Sequence, residues 1–205
     1  MSFQLQLQNQ NTLKYLSSFL PILASDSQDT SLVISVRPED LAFTLKALKI
    51  HTNTQYTVLS SISGVDYPER SRRFEVSYDL LSVKFNSRIR VKTFVDEITP
   101  LESAVSVYPC ATWWEREVWD MFGVFFDKNS EIKRILTDYG FEGHPLRKDF
   151  PLTGHTEVRN SEDQKKVIKE PVKLEQNYRN FDYESPWEGT KYIKKQTDID
   201  NDKKN

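Results

Sequence analysis

Glu142 and His144, a carboxylate and an imidazole two residues apart, have the types and spacing that suit acid–base chemistry. Imidazole exchanges protons near neutral pH, and a neighbouring carboxylate is a common partner in proton transfer. Asp149 follows and would complete a candidate enzyme site. No nucleophile or third orienting group can be named with these residues, although an active site normally needs one. A self-contained enzyme that uses these three residues therefore stays an alternative hypothesis.

The sequence contains no motif of several other common kinds of reactive site. A serine elbow, a phosphate-binding glycine loop and paired-cysteine zinc spacing are all missing, and the chain has only six glycines. Cys110 is the single cysteine, whereas an iron–sulfur cluster usually needs about four thiolates. We interpret Cys110 as a small buried hydrophobic residue, with a redox or ligand role as the alternative. We expect no catalytic, metal-binding or cofactor-binding residue in this chain.

Charge and hydropathy restrict the partners and the compartment. The 205 residues include 28 basic and 30 acidic side chains, a balance that argues against nucleic-acid binding by bulk charge. No apolar stretch approaches the roughly 20 residues of a membrane helix. The first 36 residues contain Lys14 but no arginine, unlike an arginine-rich transit peptide. We expect the chain to be made in the compartment where it works, or to be already processed.

The elements that must position these residues follow from hydrophobic periodicity. Thr12–Ala24 is predicted as a helix with leucines on one face, and Leu32–Val36 as a short strand. Pro38 starts a second predicted helix that ends near His51. Three strands follow, with shared faces that begin at Tyr56, Phe74 and Ile89, and a weaker fourth strand is predicted over Ala104–Val107. Short connections favour antiparallel neighbours.

This order predicts an α+β fold, with a mostly antiparallel sheet and helices on one face, followed by a long extended C-terminal arm. The predicted organisation is an N-terminal helix or extension over 1–29, an α+β domain over 30–127, a docking arm over 128–190 and a charged tail over 191–205. In the arm, prolines, glycines and aromatic residues replace helix or strand periodicity. Such a strip needs a partner surface, because ordering its backbone costs ~1–2 kcal/mol per residue.

Two charged features have more than one interpretation. Arg70, Arg72 and Arg73 form a basic turn, either a hairpin tip in solvent or a surface for an anionic partner. Asp120 lies near the end of the predicted helix that starts at Thr112, where the helix dipole disfavours a carboxylate. We expect a cation to face it, either from the region of Arg134 or Arg147 or from another subunit.

The helix itself is predicted from four local signals. Thr112 and Glu115 match a capping box. Trp114, Val118, Met121 and Phe122 would form one apolar stripe, and Gly123 would end the helix.

Long runs of this region resemble a known family. The segments Glu115–Val124 and Arg134–Leu152 resemble the signature of the 30-kDa core subunit of respiratory complex I, NADH:ubiquinone oxidoreductase. Shorter runs also resemble it, namely Gly64–Pro68, Arg73–Val76, Glu157–Arg159, Glu170–Val172 and Ser185–Glu188. The resemblance spans roughly residues 30–188 and is closest to the mitochondrially encoded form. Residues 127–133 and 160–165 depart from the family pattern.

The resemblance implies a function that composition alone does not show. It implies a cofactor-free subunit in the quinone-reducing module, on the matrix side of the mitochondrial inner membrane, with FMN and iron–sulfur clusters in neighbouring subunits. The implied partners are the hydrogenase-like large quinone-site subunit and other peripheral-arm subunits, with only indirect membrane contact. The related subunit of a plastid or bacterial machine is the alternative. The implied docking residues are Glu115, Arg116, Glu117, Asp120, Arg134, Asp138, Tyr139, Phe141, His144, Arg147 and Phe150.

Overall fold

The computed structural model describes residues 11–27, 31–176 and 179–181. It divides into two compact units, one that ends at Gly154 and one that begins at His155. The predicted charged tail over 191–205 and the end of the predicted arm lie outside the described residues.

The first unit contains a five-stranded sheet in the order β1-β2-β5-β4-β3. Its strands are β1 (Ile22–Ser27), β2 (Leu32–Val36), β3 (Val58–Asp66), β4 (Phe74–Ser82) and β5 (Ser87–Val95). Three neighbouring pairs are antiparallel and β2–β5 is parallel. The α+β class and the mostly antiparallel sheet are therefore confirmed.

The predicted helix over Thr12–Ala24 is wrong in its second half. Among the described residues, helix α1 covers 11–16 and does not continue past 16, and β1 starts at Ile22, immediately after Pro21. Proline lacks the amide hydrogen that a continuing helix needs. Residues 22–27 pair with β2 and so belong to the sheet, although the sequence placed them in an N-terminal extension.

The second helical region agrees with its sequence signals. A 3₁₀ turn over Pro38–Asp40 leads into α2 (Leu41–Ile50). Leu41, Leu45 and Leu48 are fully buried in the main core. Alternate residues of a strand point to the same face of a sheet. Tyr78 and Val91, which are paired across β4 and β5, lie on such a face and belong to the same core as these leucines.

The sequence predicts that Tyr56, Val58, Ser60 and Ile62 share one face, and this is wrong at Val58 and Ser60, which are exposed. Val58 is exposed, whereas Leu59 and Ile62 are buried. A bulge between Leu59 and Ser61 shifts the register against β4, and a one-residue shift exchanges the two faces of a strand. Alternation read across the bulge therefore placed Val58 and Ser60 on the face of Ile62.

Two further elements complete the first unit. Helix α3 (Ala111–Phe122) contacts β3, and the short strands β6 (Leu101–Glu102) and β7 (Phe126–Asp127) pair in parallel. The predicted strand over Ala104–Val107 is wrong, because the chain turns there and Tyr108 N–H bonds back to the Ala104 carbonyl. Among the described residues, none of the helices has the length and apolar character to cross a membrane.

The second unit contains an antiparallel hairpin of β8 (Thr156–Ser161) and β9 (Lys166–Pro171). A bidentate pair at 2.9 Å joins Arg159 to Glu170 across it. The sequence predicted an extended docking arm over 128–190 and no strands within it, so β8 and β9 were missed, while the long extended arm stays a prediction.

Candidate functional site

The side chain of Asp120 collects five hydrogen bonds at the C-terminal end of α3. Arg134 Nη1 donates to it at 2.8 Å and Thr137 Oγ1 at 2.7 Å. The backbone N–H groups of Ile135, Leu136 and Thr137 donate at 3.2, 2.9 and 3.0 Å. Asp120 is fully buried. The chain itself therefore supplies the predicted cation, and Asp120 fixes residues 134–137 against the helix.

These bonds determine the protonation state of Asp120. Burial alone would raise its pKa, but the hydrogen bonds from Thr137, Leu136 and Arg134 outweigh burial and lower the pKa to about 2. The carboxylate is therefore charged at neutral pH. The same donors offset the unfavourable dipole at the helix end.

The carbonyl groups of the last turn of α3 are satisfied by a second segment. The last carbonyls of a helix have no partner within the helix. Here three of them accept hydrogen bonds from residues 144–147. The pairs are His144 Nδ1–Asp120 O at 3.0 Å, Leu146 N–Met121 O at 3.1 Å and Arg147 Nε–Phe122 O at 2.6 Å. One helix end thus holds both halves of the segment 134–152.

The proton of His144 lies on Nδ1, because a carbonyl oxygen can only accept. Burial lowers the pKa of His144, the bond to the Asp120 carbonyl opposes that change, and Arg147 and Arg134 lower the pKa further. A neutral imidazole is therefore favoured in the folded chain.

Gly123 is required where the two segments meet. Its φ of 80° is a left-handed conformation that side chains rarely adopt, and its N–H bonds to the Trp119 carbonyl at 2.8 Å. A Cβ there would lie 2.5 Å from Arg147 Nη2 and 2.7 Å from the His144 ring. Gly123 thus ends α3, as predicted, and leaves room for the side chains that cap it.

Arg73 joins the same segment to the sheet. Its guanidinium binds both carboxylate oxygens of Asp66 at 2.6 and 2.9 Å, Glu97 at 2.7 Å and Asp149 at 3.0 Å. The Lys148 N–H also donates to Asp66 at 2.8 Å. The hydrogen bond from Arg73 lowers the pKa of Asp66, against its burial. The predicted solvent-exposed hairpin tip is therefore wrong for Arg73.

Glu115 has a structural role inside the first unit. Its carboxylate accepts from Ser103 Oγ at 2.7 Å, the Ala104 N–H at 2.7 Å and Asn129 Nδ2 at 2.9 Å. Burial raises its pKa, although these three bonds oppose the change. The predicted capping box is wrong, because Glu115 faces the 103–104 turn and Thr112 Oγ1 donates to the Pro109 carbonyl at 3.0 Å.

The acid–base hypothesis loses its geometric basis. His144 is bonded to the Asp120 carbonyl, and Asp149 is paired with Arg73. Each of these two side chains is therefore held by a different structural partner. Cys110 is exposed at the residue before α3, so its interpretation as a buried hydrophobic residue is also wrong.

The predicted docking residues divide by burial into three groups, which are buried, partly buried and exposed. Glu115 and Asp120 are buried and bonded internally, so neither offers a side chain to a partner. Five of the partly buried residues support the segment, namely Arg134, His144, Arg147, Phe141 and Phe150. The ring centroids of Phe141 and Phe150 are 5.9 Å apart. Arg116 Nε donates to the Lys133 carbonyl at 3.1 Å, and Glu117 is partly buried. Asp138 and Tyr139 are exposed.

Sequence reasoning missed the exposed leucines of this segment. Tyr139 is 97% exposed and Leu152 is 83% exposed, and Leu136 and Leu146 are also exposed. We call these four residues the 134–152 surface. The backbones of Leu136 and Leu146 are both held by residues 120–121. The sequence feature that could have indicated this surface is the presence of apolar residues in a proline- and glycine-rich segment without helix or strand periodicity.

An internally bonded segment that exposes large apolar side chains is typical of a protein-binding site. The family is shown by comparison. The chain matches the family described as "Respiratory-chain NADH dehydrogenase, 30 Kd subunit" over residues 34–156. It therefore belongs to the 30-kDa subunit family of complex I, as its sequence motifs indicated.

Individual relatives agree with this assignment. The chain is 55% identical to NADH-ubiquinone oxidoreductase subunit 9 of Reclinomonas americana, over 77% of each chain. It is 61% identical to NADH dehydrogenase [ubiquinone] iron-sulfur protein 3 of Arabidopsis thaliana, over 69% of this chain and 74% of that one.

A solved structure with the same fold comes from an archaeal respiratory membrane complex, the membrane-bound sulfane sulfur reductase. The TM-score is 0.62 at 26% identity, over 71% of this chain and 86% of that one.

The words "iron-sulfur protein" in the plant relative's name raise the question of a cluster. The donor set does not fit one, because the full sequence has one cysteine and three histidines. Within residues 11–27, 31–176 and 179–181, no group of three or more His, Cys, Asp or Glu side chains is arranged to hold a metal ion.

Proposed function

We propose that this chain is a cofactor-free core subunit of the quinone-reducing module of complex I, and that it holds the peripheral arm in place for electron transfer from NADH to ubiquinone. The observation that carries the proposal is the 134–152 surface. Its supporting side chains are bonded internally, whereas Tyr139 and Leu152 are left almost fully exposed.

The partner of this surface is the hydrogenase-like large subunit that helps to form the quinone site. Large aromatic and apolar side chains in a preformed segment are typical anchors of protein interfaces. The segment is ordered before binding, because Asp120 and Arg73 hold it. Docking therefore avoids most of the ordering cost that a loose strip would have.

Electrons pass through cofactors in neighbouring subunits, and the 134–152 surface keeps those subunits in register. The chain works in a mitochondrial respiratory complex, on the matrix side of the inner membrane, and meets the membrane only through the complex. Its charge balance gives no support for nucleic-acid binding.

The test is a complex assembled without this chain. We expect NADH:quinone reductase activity to be lost, while the flavin-containing part still oxidises NADH with an artificial acceptor. Quinone reduction that persists at the normal rate without the chain would overturn the proposal.

A further inference from the structure

Helix α2 is apolar on two sides, although only one side faces the core. Leu41, Leu45 and Leu48 are buried, whereas Phe43 is 60% exposed and Ile50 is 66% exposed. Helices that are apolar on both sides are normally covered on both. Positions 43, 47 and 50 have the i, i+4, i+7 spacing of one face. The second side of α2 is thus a surface without a cover among the described residues.

Beside this face lies a fixed aromatic cluster. Phe19 stacks on His51 with 5.0 Å between ring centroids, and Tyr15 meets Phe19 edge-on at 5.5 Å. Tyr15 Oη lies 3.1 Å from His51 Nε2, and the Asn53 N–H donates to His51 Nδ1 at 3.2 Å. Because a backbone N–H only donates, Nδ1 accepts, and Nε2 carries the proton that is given to Tyr15. The His51 ring is held in one orientation.

Together these features form an open groove of about 390 Å³, the α2 groove. Its lining residues are Phe19, Phe43, Lys46, Ala47, Ile50 and His51. Lys46 is the one side chain of fixed charge among the described residues that line it. The volume suits a few apolar side chains from a partner.

We propose that the α2 groove is a second docking surface, which binds an amphipathic helix of a neighbouring complex I subunit with a carboxylate facing Lys46. The groove offers apolar side chains and helical backbone whose hydrogen bonds are already made. An extended segment would leave its own backbone groups unpaired there, whereas a helix satisfies them internally. Ridges at i and i+4 on α2 also match those of a second helix.

A membrane surface fits the groove less well. Binding to anionic lipids usually needs a cluster of about four to eight basic residues. Here the lining supplies Lys46 alone, in a chain with net charge −2. A single lysine beside an apolar face is better matched by one carboxylate on a partner helix. The α2 groove and the 134–152 surface share no residue, so binding at one can be tested separately from binding at the other.

The test uses the full chain in the assembled complex, with Phe43 replaced by a photoreactive phenylalanine analogue. The same analogue at Val83, which is 67% exposed in the turn after β4, is the control. We expect cross-links from position 43, but not from 83, to one peptide of another subunit with apolar residues three or four apart and a nearby Asp or Glu. Cross-links to lipid, to residues 1–10 of the same chain or to a second copy would overturn the proposal, as would a yield no higher than at 83.

A charge reversal tests the pairing. Lys46→Glu should lower the cross-link yield about fivefold, and reversal of the partner carboxylate to lysine should restore it. Lys84→Glu, at another exposed lysine, should leave the yield unchanged. Thermal unfolding of each variant chain checks that the chain still folds. The unfolding temperature of Lys46→Glu should equal that of the unaltered chain, because Lys46 is exposed. An unchanged yield with Lys46→Glu would contradict the pairing.

Discussion

Asp120 Oδ1 and Arg134 Nη1 form a 2.8 Å ion pair at the end of α3, where the helix dipole opposes a carboxylate. Three backbone N–H groups and a threonine hydroxyl complete the carboxylate's shell. A position that is unfavourable for the helix alone is therefore the position that fixes residues 134–137. The stability of the helix end and the order of the 134–152 surface are coupled through this one side chain.

Removal of the Asp120 carboxylate should destabilise the fold and release the segment. Asp120→Ala leaves Arg134 and the 135–137 amides without their acceptor, so we expect a loss on the order of 3–5 kcal/mol. Asp120→Asn keeps the size but loses the charge and one acceptor oxygen, and should cost about 2 kcal/mol. Urea unfolding measures the loss, and hydrogen exchange should show faster exchange at the 135–137 amides.

Asp138→Asn is the matched control, because Asp138 is exposed and its side chain, among the contacts described, accepts only from the N–H of Tyr139. It should change the free energy of unfolding by less than about 0.5 kcal/mol. Equal effects of the two Asn variants would show that Asp120 has no special role.

Two glycines with similar backbone angles separate strain from steric contact. Gly123 and Gly140 have φ of 80° and 68°, but a Cβ at 123 meets His144 and Arg147, whereas nothing lies within 4 Å at 140. Gly140→Ala should therefore cost about 1 kcal/mol. Gly123→Ala should cost at least about 2 kcal/mol more, because the capping side chains must move. Thermal or urea unfolding of both variants checks this, and equal losses would contradict the close contact at 123.

Arg73 should not tolerate lysine. Lysine keeps the charge but cannot bind both oxygens of Asp66 while it also reaches Glu97 and Asp149. We expect Arg73→Lys to cost about 2 kcal/mol and to speed amide exchange at Lys148. Arg72→Lys, at an exposed neighbour, should be nearly neutral in urea unfolding. A neutral Arg73→Lys variant would show that the bidentate geometry is unimportant.

Acid should destabilise the chain in two steps, which variants of Asp120 and His144 should separate. The pKa of Asp120 is lowered from 3.8 to about 2, so its contribution is complete above pH ~4 and is lost as the pH falls towards 2. Its size is roughly 2 kcal/mol. The pKa of His144 is also lowered, and its contribution is complete above the unfolded value of 6.5 and decreases below it. Urea unfolding from pH 7 to 2 should show that Asp120→Asn flattens the lower step, while His144→Gln flattens the upper one. Unchanged pH profiles would contradict both assignments.

Periodicity predicted the elements that are stabilised by a continuous apolar face. The leucine stripe of α2 and the alternation in β4 and β5 gave the correct element types, because those residues pack into one core. Periodicity failed at Val58, where a bulge changes the face without a residue type that signals it. It also missed β8 and β9, whose side chains are mostly polar or charged and form no apolar face.

The candidate site was predictable only in part. The sequence indicated that Asp120 needs a cation and that Gly123 ends the helix, since both follow from the physics of a helix terminus. It could not show that Arg73 binds Asp149, because that contact joins residues 76 positions apart. Nor could local pattern reveal that Glu115 turns away from the helix start to bind Ser103 and Ala104. Tertiary partners decide both cases.

The most direct test of the scaffold role changes the 134–152 surface without changing the fold. The variant Leu136→Ser/Tyr139→Ser/Leu152→Ser removes exposed apolar side chains, and Ile98→Ser/Val83→Ser removes exposed ones elsewhere in the same unit. Each replaces the normal chain in the assembled complex, and NADH:quinone reductase activity is measured beside NADH oxidation with an artificial acceptor. We predict that the first variant loses quinone reduction and retention of the chain, while NADH oxidation and the control are unaffected. Normal quinone reduction with the first variant fully incorporated would contradict the account.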